Sequence, residues 1–103
     1  MSTKTQKQQA KEYSIRLPQL FQQMTEPDAV TILKWHVKEQ DILRPGAPLL
    51  STETCIGYID IPAPPRQMMR GAHRVIRIVE PEGATVYLND LLIVLQAIDS
   101  GAA

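Results

Sequence analysis

The chain holds a single cysteine, a single phenylalanine and a single tryptophan in 103 residues. One cysteine cannot close an intrachain disulfide, so stability has to come from the core, and a reducing compartment is compatible. Scarce aromatics make that core mainly aliphatic. An excess of charge is also missing. Eleven Lys and Arg stand against 11 Asp and Glu, which argues against attachment to nucleic acid or to an acidic membrane by bulk charge. No apolar run approaches the ~20 residues that cross a bilayer. No apolar stretch follows the N-terminal lysines, so no signal peptide is expected. Only 5 glycines accompany 8 prolines, a balance that suggests short elements cut by turns. The expectation is one soluble, cytoplasmic domain.

What is present is a body between two polar ends. Residues 1–12 carry Lys4, Lys7 and Lys11 among glutamines and read as a flexible tail, and 99–103 read as a second. The domain is expected over 13–98. Strands are predicted around Ile15 and Leu17, over Val30 to Val37, Leu49 to Thr54, Tyr58 to Ile61, Val75 to Val79 and Leu91 to Ile98. Turn residues separate them: Glu26-Pro27-Asp28, Arg44-Pro45-Gly46, Pro62 to Pro65, Glu80 to Gly83 and Asn89-Asp90. Leu91 to Leu95 is apolar enough for a helix, but its short length and the β-branched Ile93 and Val94 favour a strand. Short strands at this spacing predict an all-β sandwich or barrel.

A shift of 43 residues superimposes Ile32–Leu50 on Val75–Ile93. Ile32 meets Val75, Trp35 meets Ile78, Glu39 meets Glu82, Leu43 meets Val86, and Leu49-Leu50 meets Leu92-Ile93. Gly46 meets Asn89, and both residue types tolerate positive φ in a turn. Matching turn and charge residues in one register predict an internal repeat, with two similar sheets facing each other over an aliphatic core.

These segments, in this order, resemble the lipoyl/biotinyl carrier domain, and specifically the lipoyl domain of 2-oxo acid dehydrogenase complexes. Ile15-Arg16-Leu17-Pro18 is similar to its opening strand. Leu33-Lys34-Trp35-His36-Val37-Lys38-Glu39-Gln40-Asp41 and Pro45-Gly46-Ala47-Pro48-Leu49-Leu50 are similar to its next strands and turns. Glu53-Thr54, Ile61-Pro62-Ala63-Pro64 and Glu82-Gly83-Ala84-Thr85-Val86 complete the likeness, which covers roughly residues 14–98. The resemblance implies a flattened β-barrel, a barrel-sandwich hybrid of two four-stranded sheets with quasi-two-fold symmetry. It also implies partners such as a lipoate ligase, a dehydrogenase subunit or an acyltransferase core.

The chain departs from the family where the chemistry belongs. In the family the hairpin after Glu-Thr carries Asp-Lys-Ala, and its lysine amine is acylated by the cofactor. Here the hairpin reads Thr54-Cys55-Ile56-Gly57, and no lysine occurs after Lys38. Isoleucine offers no nucleophile. Met68-Met69-Arg70 has an arginine that stays protonated. Neither lipoyl nor biotin is therefore expected. Cys55 is an alternative attachment point, but no basic residue within ten positions is there to lower its pKa.

Ile56 and Tyr58 either form an apolar tip that seats in a partner or pack against the following loop. That loop is longer than in the family. Pro65 starts a single helical turn that Gly71 ends. Arg66, Arg70, Arg74 and Arg77 follow with no acid between Asp60 and Glu80. They are either a docking surface for an acidic partner or phosphate, or a solvated face. His36 and His73 have no metal-ligand spacing around them, and Trp35 is expected in the core.

The expected function is non-catalytic: an adaptor, decoy or assembly domain near 2-oxo acid dehydrogenase or carboxylase type complexes, acting by protein contact through Ile56, Tyr58, Arg66, Arg70 and Arg74. No nucleic-acid or membrane partner is expected, while exposed sheet edges allow a homo-oligomer. The alternative is a carrier holding a prosthetic or acyl group through Cys55.

Overall fold

The computed structural model describes residues 11–98. Eight strands form in chain order: β1 (Glu12–Arg16), β2 (Val30–Trp35), β3 (Ile42–Leu43), β4 (Pro48–Thr54), β5 (Gly57–Pro62), β6 (His73–Ile78), β7 (Thr85–Val86) and β8 (Leu91–Ala97). They make two antiparallel four-stranded sheets, ordered β1-β8-β6-β3 and β5-β4-β2-β7. The two ladders stay separate, so the molecule is a sandwich rather than a hydrogen-bonded closed barrel. Strand β1 begins at Glu12, one residue inside the segment expected as tail. The rest of the expected N-terminal tail up to residue 10, and the expected C-terminal tail at 99–103, lie outside the described residues.

The 43-residue repeat holds strand by strand. It carries the bounds of β2, β3 and β4 onto those of β6, β7 and β8. The positive-φ residues follow the same register: Gln40 (φ 79) on Gly83 (φ 89), and Gly46 (φ 77) on Asn89 (φ 72). The outer strands complete the symmetry, since β1 borders β8 as β5 borders β4.

Each half contributes its shortest strand to the other half's sheet. Strand β3 pairs with β6, and β7 pairs with β2. The surrounding hydrogen bonds are reciprocal. The Gln40 N–H donates to the Val75 carbonyl at 2.7 Å, and the Gly83 N–H donates to the Ile32 carbonyl at 2.7 Å. Glu82 Oε2 accepts the Trp35 N–H at 3.0 Å, and Glu39 Oε2 accepts the Ile78 N–H at 3.1 Å. The carboxylates thus close strand ends that have run out of backbone partners.

The core is aliphatic, as composition requires. Leu17, Ile32, Leu43, Leu49, Leu50, Val75, Val86, Leu92, Ile93 and Leu95 are fully buried or nearly so. Bulges explain how neighbours in sequence can both point inward. The β4–β5 register steps from Pro48 to Leu50 against Pro62 and Ile61, leaving Leu49 as the extra residue. The β1–β8 register likewise skips Leu92. Two residues facing one turn Leu49-Leu50 and Leu92-Ile93 toward the core together. Trp35 is buried, with Nε1 donating to the Glu80 carbonyl at 2.8 Å. Of the loops that cross between sheets, the two longest bury one methionine each, Met24 between β1 and β2 and Met69 between β5 and β6.

Two substitutions test this reciprocity in urea unfolding. Glu82→Ala leaves the part-buried Trp35 N–H without its acceptor and is expected to cost about 1–2 kcal/mol. Gln40→Gly gives the left-handed turn the residue its repeat partner already has and is expected to gain about 0.5 kcal/mol.

Candidate functional site

The hairpin after Glu53-Thr54 is built for a tight turn. Strands β4 and β5 pair as far as Thr54 opposite Gly57, so only Cys55 and Ile56 form the loop. Thr54 Oγ1 donates to the Gly57 carbonyl at 2.8 Å and accepts the Ile56 N–H at 3.1 Å. Thr54 is buried, and Gly57 takes φ 123, a conformation that side chains disfavour. The braced turn holds its two loop side chains in solvent. Ile56 is 62% exposed and Tyr58 76% exposed, so neither packs against the following loop. Cys55 is a free, exposed thiol. The apex therefore presents an aliphatic side chain, a phenol and a thiol, and no amine.

The arginines do not join this tip. Beyond the far end of the hairpin, where Pro48 pairs with Pro62, the β3–β4 turn meets the chain leaving β5. There the Gly46 N–H donates to the carbonyls of Ala63 and Pro64 at 3.2 and 3.1 Å. The Pro65 carbonyl accepts the Met68 and Met69 N–H groups at 2.9 and 2.8 Å, which makes the single helical turn expected from Pro65 to Gly71. Met69 is fully buried, while Met68 is 65% exposed. This turn sets Arg66 and Arg70 beside Arg44 around an open groove of about 1190 Å³. A seven-residue strand separates groove from tip, a span of roughly 20 Å.

The expected contact set of Ile56, Tyr58, Arg66, Arg70 and Arg74 is thus not one surface. Arg74 lies on β6 opposite Ile42, with Nη1 donating to the Gln40 carbonyl at 3.3 Å. It lines neither the large groove nor the smaller one beside it. Arg44 takes its place. Arg44 sits in a turn remote in sequence from Arg66, and the only sequence signal for it was the turn motif Arg44-Pro45-Gly46.

Sequence spacing also gave no signal for a polar row across the outer face of the β2–β4–β5 sheet. His36 Nε2 lies 2.8 Å from Ser51 Oγ, which donates to Asp60 Oδ1 at 2.8 Å. The residue types match a hydrolytic triad, but the wiring differs. The hydroxyl proton of Ser51 goes to Asp60, so the imidazole is the donor to Ser51 rather than its base. The three side chains sit on a sheet face and line neither of the two arginine-bordered grooves. The row reads as cross-strand pairing. His73 is buried, its Nδ1 3.1 Å from the Gly71 carbonyl and its ring stacked at a tilt on Tyr13. Among the described residues no three His, Cys, Asp or Glu side chains group as metal ligands. No helix among them is long and apolar enough to cross a membrane.

Comparison of the chain with protein-family models and with curated proteins finds no match.

The exposed apex makes a direct test of the hairpin. Cys55 is expected to react completely with a disulfide reagent such as Ellman's in native buffer, in one kinetic phase and without denaturant, and Cys55→Ser is expected to abolish the signal. A thiol that titrates only after unfolding would contradict this hairpin geometry.

Proposed function

We propose that the chain is a lipoyl/biotinyl-like domain without a modifiable lysine, one that acts by protein–protein contact and is not an enzyme. Its role would be that of an adaptor, decoy or assembly domain near 2-oxo acid dehydrogenase or carboxylase type complexes. The observation that carries the reading is the apex. A tight, well-braced hairpin projects from a two-fold sandwich of four-stranded sheets and displays Ile56 where the resemblance puts the acylated lysine.

Cofactor attachment in that family needs an amine lone pair to form an amide. No lysine follows Lys38, and arginine remains protonated. What the apex offers instead is contact area. An exposed isoleucine beside an exposed tyrosine is the kind of pair that anchors small protein interfaces when a partner supplies the pocket. By the resemblance, that partner belongs to the proteins that handle carrier hairpins: a ligase, a dehydrogenase subunit or an acyltransferase core. The solvent position of Cys55 supports a second reading, a carrier that holds an acyl or prosthetic group through its thiol.

Restoring the amine tests the first reading. Ile56→Lys, incubated with ATP, free cofactor and a lipoate or biotin ligase, is expected to gain at residue 56 the mass of one cofactor less the water lost in forming the amide. Refusal under conditions that modify an authentic carrier domain would overturn the ligase-facing version. The intact mass of protein purified from its own host tests the second reading, and a stable adduct mapped to Cys55 would put the thiol carrier in first place.

A further inference from the structure

We infer that the groove formed by Arg44, Arg66 and Arg70 is a docking site for an acidic peptide segment of a partner protein, at the opposite end of the domain from the hairpin. The inference rests on the protein-contact reading but uses none of the hairpin residues.

The charge is concentrated in a neutral chain. Three of the nine residues around the groove are arginines and none is acidic. No Asp or Glu occurs between Asp60 and Glu80. All three arginines are exposed, and they come from two separate turns held together by the Gly46 N–H bonds to Ala63 and Pro64. Buried Met69 fixes the second turn against the core. The guanidinium groups are thus carried on braced backbone, which lowers the entropy lost when they engage a ligand.

The internal repeat provides a comparison within the same molecule. The turn Tyr87-Leu88-Asn89 stands where the other half has Arg44-Pro45-Gly46. The loop between β1 and β2, with Glu26 and Asp28, stands where the other half has Pro65 to Ala72. Both loops bury a methionine and both turns take positive φ. The second turn and loop carry no arginine of their own, and the one that reaches them, Arg16, comes from β1 with Nη1 donating to the Asn89 carbonyl at 3.0 Å, so Arg44, Arg66 and Arg70 have no counterparts in the repeat.

The shape selects the ligand class. The groove of about 1190 Å³ is far wider than a single phosphate and is open to solvent. Its lining has no aromatic side chain to stack a base, and the groove is too open to enclose a small molecule. Guanidinium forks pair bidentately with carboxylates. A smaller depression continues from it, sharing Arg44 and Arg70 and adding the side chains of Ile42 and Ile98. Ile42 is 41% exposed. The sequence of surfaces, basic and then aliphatic, matches an extended segment with several Asp or Glu residues followed by an apolar one.

The test uses the full chain and a fluorescein-labelled short peptide of alternating Glu and Asp ending in Leu, with a Gln/Asn peptide as control. Anisotropy at low ionic strength is expected to show saturable binding of the acidic peptide alone. Arg66→Gln combined with Arg70→Gln is expected to weaken it at least about tenfold, and Arg44→Gln severalfold, while Arg77→Gln changes it less than about twofold. In the unsubstituted protein, amide resonances of Gly46, Gly71 and Ala72 should shift on titration, so the result stands even if a variant folds poorly. No saturable binding, an equal loss in Arg77→Gln, or shifts confined to Cys55–Tyr58 would overturn the inference. Inorganic pyrophosphate displacing the peptide at lower concentration than the unlabelled peptide does would also overturn it, in favour of a phosphate site. The Ile56→Lys experiment reads the other end of the domain, so either reading can fail alone.

Discussion

The exchange of short strands between the two halves is the constraint from which the rest of the molecule follows. A two-residue strand has almost no stability of its own. Here β3 and β7 each border the sheet of the opposite half, and the adjoining turns supply carbonyls and a glutamate carboxylate to that sheet. Neither sheet is complete without the other half's turn. The turn positions are therefore fixed with respect to both sheets at once, and whatever the turns carry inherits that rigidity. Glu39 and Glu82 are polar, exposed residues whose role is internal: they satisfy backbone donors that the pairing leaves over.

The same symmetry separates what the fold needs from what it merely carries. Features that recur in both halves are the bulges at Leu33 and Ile76 and at Leu49 and Leu92, the positive-φ turns and the buried methionines. These belong to the architecture. Features found in one half only are the braced Cys55-Ile56 turn and the arginine-lined groove. They lie about a strand length apart at opposite ends of one sheet.

Much of the fold was legible in the sequence because the repeat couples apolar spacing to turn chemistry. The match of Gly46 to Asn89 by itself marks two left-handed turns. What the sequence hid, it hid for physical reasons. Ile42–Leu43 and Thr85–Val86 are too short to show alternation. Leu91–Ala97 puts Leu92, Ile93 and Leu95 into the core because a bulge turns Leu92 inward with Ile93, and this apolar run is what made the segment read partly like a helix. The hairpin apex was readable because a two-residue turn is a local matter. The groove was not, because Arg44 reaches Arg66 only through sheet register and the turn-to-turn hydrogen bonds of Gly46. The His36–Ser51–Asp60 row was hidden for the same reason, its members meeting only across three strands.

The pairing of β1 with β8 has a topological consequence. Near the chain's entry and exit, Glu12 faces Gln96 and the Ala97 N–H donates to the Lys11 carbonyl at 3.0 Å. That end of one sheet corresponds to the Thr54–Gly57 end of the other, where the backbone happens to be continuous. A short bridge from Ile98 to Lys11, with a break between Cys55 and Ile56, would keep all the strand pairings and simply reverse the order in which the halves are threaded. The architecture is in that sense a closed circle, and the place where the polypeptide opens it is incidental to how it packs.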